Sequence, residues 1–129
     1  MHALIHTPIE GASRGWMLAA TVLRLAVAAF FVLMAAKNLA GDEAMVADFR
    51  RWGYADGFRQ AVAGLQIVGA VLLTIPSVAF LGGVLLVGVL CGAVFTHALH
   101  DPPAALTSPV VFLALVGLAT WPLRPPLLR

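Results

Sequence analysis

The sequence predicts an all-α membrane protein: a transmembrane four-helix bundle with a short amphipathic helix in the interface between the first and second spans. Three observations predict it. Of 129 residues, 61% are hydrophobic and only 11% are charged. Soluble domains run near roughly 45–50% apolar and about 25% charged. Mean hydropathy is +0.96. The apolar residues also gather into long segments, and a spanning helix needs about 20 of them. The chain therefore houses one membrane domain of about four helices. It leaves no room for a separate soluble enzyme domain, and the composition excludes a disordered protein. The pI near 9.3 arises from scattered charges rather than a basic patch, so no nucleic-acid partner is expected.

The first span is expected over 16–37, with Trp16 at its membrane interface, Arg24 as its one internal charge and Lys37 at its end. This apolar run exceeds a signal-peptide core, and we read it as a retained helix. The second span is expected over 57–75, with Asp56 as N-cap and Pro76 as its stop. The third, over 78–99, contains no formal charge, and the very short link makes the two a tight antiparallel hairpin. The fourth, over 104–123, is the weakest. It starts either at Pro109 behind a Ser108 cap, or at Pro102 behind an Asp101 cap with a kink near Pro109.

Between the first two spans, Met45, Val46, Phe49 and Trp52 recur at helical spacing among charged residues, and Gly53 follows. This predicts an amphipathic helix over 43–52, lying in the interface and ended by Gly53. Four spans place both termini, with Trp16 and Trp121, on one face. Counting Lys and Arg gives four on one side and three on the other, too close to set orientation.

Polar groups at membrane depth are functional candidates because lipid makes them costly. Arg24 either snorkels to the interface or points inward as a cation facing Gln66, since the second span carries no acid. Lys37 suits a helix C-terminus among headgroups. His97 and His100 share a helix face near the same end as Lys37 and Asn38. With Asp101 and Glu43 they form a weak metal set that lacks an HExxH motif or a nearby thiolate, so no metal site is assigned. They read instead as interfacial histidines or as the polar mouth of a pocket. Gly88 and Gly92 form a GxxxG pair, continued by Thr96, which either packs the bundle on itself or seats a homodimer. Cys91 is the single cysteine and excludes an internal disulfide.

The order Arg24-Leu25, Phe30 or Phe31, and Lys37-Asn38-Leu39 resembles the first helix of the DoxX family. The loop Phe49-Arg50-Arg51-Trp52-Gly53-Tyr54, the block from Gly64 to Leu73, and Gly92-Ala93-Val94-Phe95-Thr96-His97 extend the resemblance over about 23–99. It implies a four-helix protein of a bacterial-type cytoplasmic (inner) membrane with cytoplasmic termini. Quinone-linked thiosulfate oxidation, methylamine utilisation and membrane redox complexes are the associated activities. The ligand-binding candidates it carries over are Arg24, Lys37, Gln66 and His97, with His100 added from the helix-face argument. Members often have a glutamate where this chain has Gln66, and a neutral amide cannot serve as a base there.

Three functional readings follow. The first is an accessory or quinone-associated subunit of a membrane redox system. The chain has no CxxC, haem, flavin or dinucleotide motif, so a quinone or a redox partner protein would supply the electrons. The second is a binder or carrier of a small apolar ligand, anchored by Arg24, Gln66 and His97. The third is a scaffold for a membrane partner.

Overall fold

The computed structural model describes residues 2–128, with side chains from Arg14 onward. Five α-helices follow one another: α1 (His2–Ala40), α2 (Glu43–Arg51), α3 (Phe58–Leu73), α4 (Ala79–His100) and α5 (Thr107–Thr120). Short 3-10 turns flank α5 at Pro103–Leu106 and Trp121–Leu123, and a third covers Pro126–Leu128. No strand occurs among the described residues. α1 packs against α3 and α5, α3 against α4, and α4 against α5, which closes a ring.

By length and composition, three helical stretches can cross a membrane: Arg14–Ala40, Ala79–His100 and Pro103–Leu123. The shorter apolar helix is α3, not the fourth segment. Its 16 residues span about 24 Å at the α-helical rise. The ring is apolar outside as well as inside. Leu18, Val22, Leu33, Val68, Leu81, Val84 and Leu118 all face outward. Exposed apolar surface this continuous marks contact with lipid or another apolar partner.

Helix caps differ from expectation in two places. Gly57, at φ 94°, is the N-cap of α3, so Asp56 lies one residue too early to cap it. At α5 neither Ser108 nor Asp101 caps. Pro102 is extended, a 3-10 turn follows, and Pro109 is the third residue of α5. Proline is tolerated there because first-turn N–H groups have no intrahelical acceptor. α2 conforms: Asp42 Oδ1 accepts from the Met45 N–H at 3.2 Å, and Gly53 at φ 84° ends the helix.

Phe31, Leu73, Leu86 and Val116, one from each long helix, are fully buried and form the centre. Phe30 stacks on Phe112 at 4.0 Å across the α1–α5 seam. Close approach of α3 and α4 depends on Gly69 and Gly82, since a Cβ on Gly82 would sit 2.7 Å from the Gly69 carbonyl oxygen. A Cβ on Gly83 would sit 2.7 Å from Thr120 Oγ1 on α5. Gly88 and Gly92 do not pack the bundle on itself, because a Cβ on either meets nothing within 4 Å.

Arg24 is 5% exposed and resolves its own problem locally. The last carbonyls of a helix have no intrahelical donor. Those of Val71 and Leu72 accept from Thr74 and Ile75 N–H, and that of Leu73 accepts from Arg24 Nη1 at 2.5 Å. A cation at a helix C-terminus also meets the negative end of the helix dipole. Arg24 therefore faces the end of α3, two turns beyond Gln66.

The glycines separate into two classes that thermal unfolding in detergent distinguishes. Gly82→Ala must push α3 from α4 and is expected to cost about 1–3 kcal/mol. Gly88→Ala meets open space and is expected to be neutral or slightly stabilising through helix propensity.

Candidate functional site: a covered cavity with a polar end

α1, α3 and α4 enclose a cavity of about 510 Å³, and α2 lies over it. Each wall follows from helix periodicity. α1 contributes Met34 and Asn38, one turn apart. α3 contributes Phe58, Val62, Leu65 and Gln66. α4 contributes Leu85, Gly88, Val89, Gly92, Ala93, Thr96 and His97, all on one face. α2 turns Met45, Asp48, Phe49 and Trp52 onto it, and Tyr54 completes the cover. The apolar side of the amphipathic helix thus faces the cavity.

Asp101 holds this cover in place. It follows α4 directly, and its side chain is only 9% exposed. One carboxylate oxygen accepts from Arg51 Nη1 at 2.5 Å. The other accepts from Trp52 Nε1 at 3.1 Å and pairs with His97 Nδ1 at 2.7 Å. Arg51 also reaches Asp48 at 3.1 Å and, from Nη1, the His100 carbonyl at 3.5 Å. Two donors thus come from the end of α2 and one from α4. The Arg51 guanidinium holds the Asp101 carboxyl below its ordinary value. Burial opposes this, while the His97 and Trp52 hydrogen bonds reinforce it. Asp101 and Asp48 in turn raise Arg51.

Aromatic rings fill the space around this hub. Phe49 meets Trp52 at 5.2 Å, Tyr54 stacks on Phe58 at 4.4 Å, and Trp52 meets His97 edge-on at 5.2 Å. The Tyr54 hydroxyl bonds the Thr96 hydroxyl. Deeper in, Asn38 Nδ2 donates to Gln66 Oε1 at 3.3 Å.

Of the residues singled out in the sequence, Gln66 and His97 line the cavity together. Arg24 lies towards the other end of α1 and is bonded to Leu73. Lys37 and His100 are exposed and do not line it. No group of three or more metal-ligating side chains occurs among the described residues. Asn38, Trp52 and Tyr54 belong to the site although sequence reasoning gave none of them a ligand role, and Asp101 had entered it only as a member of the unassigned metal set. The signal for Asp101 was its position four residues after His97, the spacing of neighbours on a helix.

An all-helical chain with apolar outward faces and helices long enough to span a bilayer is a membrane protein. More narrowly, the chain belongs to the DoxX-like family, whose profile matches residues 22–119. Neither curated proteins nor solved structures give a significant match.

The Asp101 hub has a defined pH window. A carboxyl whose value is lowered by folding stabilises the folded arrangement fully above its unfolded value, about 3.9. That contribution fades as pH falls further, through the lowered value. Amide exchange of the α2 segment should therefore be pH-independent, after correction for intrinsic rates, above about pH 5 and accelerate below about pH 4. Asp101→Asn should raise α2 exchange several-fold at neutral pH while leaving α3 and α5 protected. Unchanged α2 protection would refute the latch.

Proposed function

We propose that this protein is a multi-pass membrane protein that binds a small, largely apolar ligand in the cavity beneath α2. The observation that carries this reading is the cavity itself. About 510 Å³, mostly apolar walls and a few convergent polar groups are the attributes of small-molecule sites. Four crossings fit the ring of helices, with α2 at the interface. Trp16 and Trp121 are both exposed, on neighbouring helices that run in opposite directions, as expected if both termini share one face. The family resemblance favours the cytoplasmic face of an inner membrane for them.

The side of the cavity bounded by Leu65, Gly88 and Gly92 is the exposed one. In a bilayer that gap would face hydrocarbon, so a lipophilic ligand reaches the site without crossing water. The two glycines then serve ligand access, and Gly92 lies one turn from Thr96 on the polar side. A quinone, or the quinol that its reduction gives, is lipophilic enough to belong to the class this cavity fits, and only the quinol carries a donating hydroxyl. Its assignment, and a place in a redox complex, draw on the family resemblance rather than on the cavity's chemistry. The apolar face of α2, which motivates a scaffold role, is turned onto the cavity.

Gly92→Leu tests the reading because open space surrounds that Cα position. The variant should fold normally while its side chain fills the gap. Native mass spectrometry of protein extracted in mild detergent should show a bound small molecule on the unmodified chain and little or none on Gly92→Leu. Equal occupancy of both, or none on either, would refute the proposal.

A further inference from the structure

Resting on the cavity reading above, we infer that the ligand carries an uncharged, hydrogen-bond-donating head group, an alcohol or phenol rather than an acid or an amine, and that His97 Nε2 receives its proton-bearing atom. The groups at the cavity's polar end differ in the hydrogen-bonding capacity they still have. Asp101, beside the Arg51 guanidinium, is an ionised acceptor, so His97 Nδ1 is the donor in their 2.7 Å contact. In the neutral imidazole the other ring nitrogen, Nε2, is then an acceptor. Nε2 has no hydrogen-bond partner among the described residues, yet it is not among the sealed polar atoms, and His97 lines the cavity with its side chain 25% exposed. Asp101 thus fixes an imidazole with its lone pair available to the cavity, as carboxylates do for functional histidines elsewhere.

Charge balance at the site selects a neutral head. A carboxylate ligand would need a cation, and no lysine or arginine lines the cavity. Arg51 is bonded to two carboxylates, and Arg24 is bonded to Leu73. An ammonium ligand would need a spare carboxylate. Asp101 has three donors already, and Asp48 is paired with Arg51. A charge buried at the His97 end would therefore have to share a counter-ion that is already paired, which is costly in an apolar setting. A hydroxyl needs none, and it satisfies the acceptor that His97 presents. The terminal amide of Gln66, which engages only Asn38, lies on the same cavity and leaves a second polar position for the head group.

Photolabelling with probes that share one diazirine-bearing decyl chain tests this. The heads are a hydroxyl, a methyl ether, a carboxylate and a primary amine, and labelled positions are read by peptide mass spectrometry on the full chain in detergent. The alcohol should label peptides of α3, α4 and α2 at the cavity about tenfold more than the ether, carboxylate or amine. In His97→Phe the alcohol should fall to the level of the ether while both still label the cavity. Equal labelling by all four heads, or preference for a charged head, overturns the head-group inference and leaves the cavity reading standing. Absence of cavity labelling by every probe overturns both. The comparison among heads on the unmodified chain decides the matter even if the variant does not fold.

Discussion

One carboxylate organises the cavity end of this molecule. Asp101 leaves α4 just where the helix stops and gathers Arg51, Trp52 and His97 around its two oxygens. A lone exposed ion pair contributes little to stability. Here the carboxylate is mostly buried and three donors share it, one of them cationic, which is the arrangement in which such bonds become strong. Its effect is positional. It fastens the far end of α2 to α4, so that Phe49 and Trp52 stay over the cavity rather than swinging into lipid or water. The same carboxylate holds the His97 ring by its Nδ1. The cover and the polar anchor of the site are consequently consequences of one residue.

The remainder of the fold shows how a chain with few charges distributes them. Most lie at helix ends, in α2 or in the connections around it, where headgroups and water are within reach. Arg24 is the exception, and it is used to complete a helix terminus. Its bond to the Leu73 carbonyl satisfies a backbone acceptor that lipid could not. Close helix contact is supplied by Gly69, Gly82 and Gly83 at the end of the bundle where α3 turns into α4. Towards the other end the helices are not drawn together by such contacts, and the space between them is the cavity. The two ends thus divide the work, one packed and one hollow.

How much of this was legible in the sequence depends on the length scale of each feature. Helices declare themselves through apolar runs and periodicity, so the segments, the amphipathic α2 and its glycine stop were readable. The caps of α3 and α5 were not, because capping depends on the backbone angles of one residue, and Gly57 displaced Asp56 from that position. Gln66 and His97 were identifiable as polar residues in apolar company. Asn38 was not, since it reaches Gln66 through packing between helices that spacing along the chain does not encode; Asp101 lies at i+4 from His97, and what spacing left hidden is that Arg51 and Trp52 join it there. The reading of the GxxxG pair as packing the bundle on itself failed for a related reason. Small residues permit close approach, but whether a neighbour arrives is decided by the glycines elsewhere on α4. Arg24 drew attention as the one charge inside a span, and it proved to complete the end of α3 at the packed end while the cavity lay at the other.

The central claim is that the space under α2 is built to hold a ligand whose polar end meets His97. An experimental structure of the protein crystallised from lipid, without prior delipidation, tests it most directly. The account predicts elongated non-protein density between α1, α3 and α4, covered by Phe49 and Trp52, with one end within hydrogen-bonding distance of His97 Nε2. A cavity collapsed onto its own side chains, or one holding only water with His97 Nε2 turned to a protein acceptor, would contradict it.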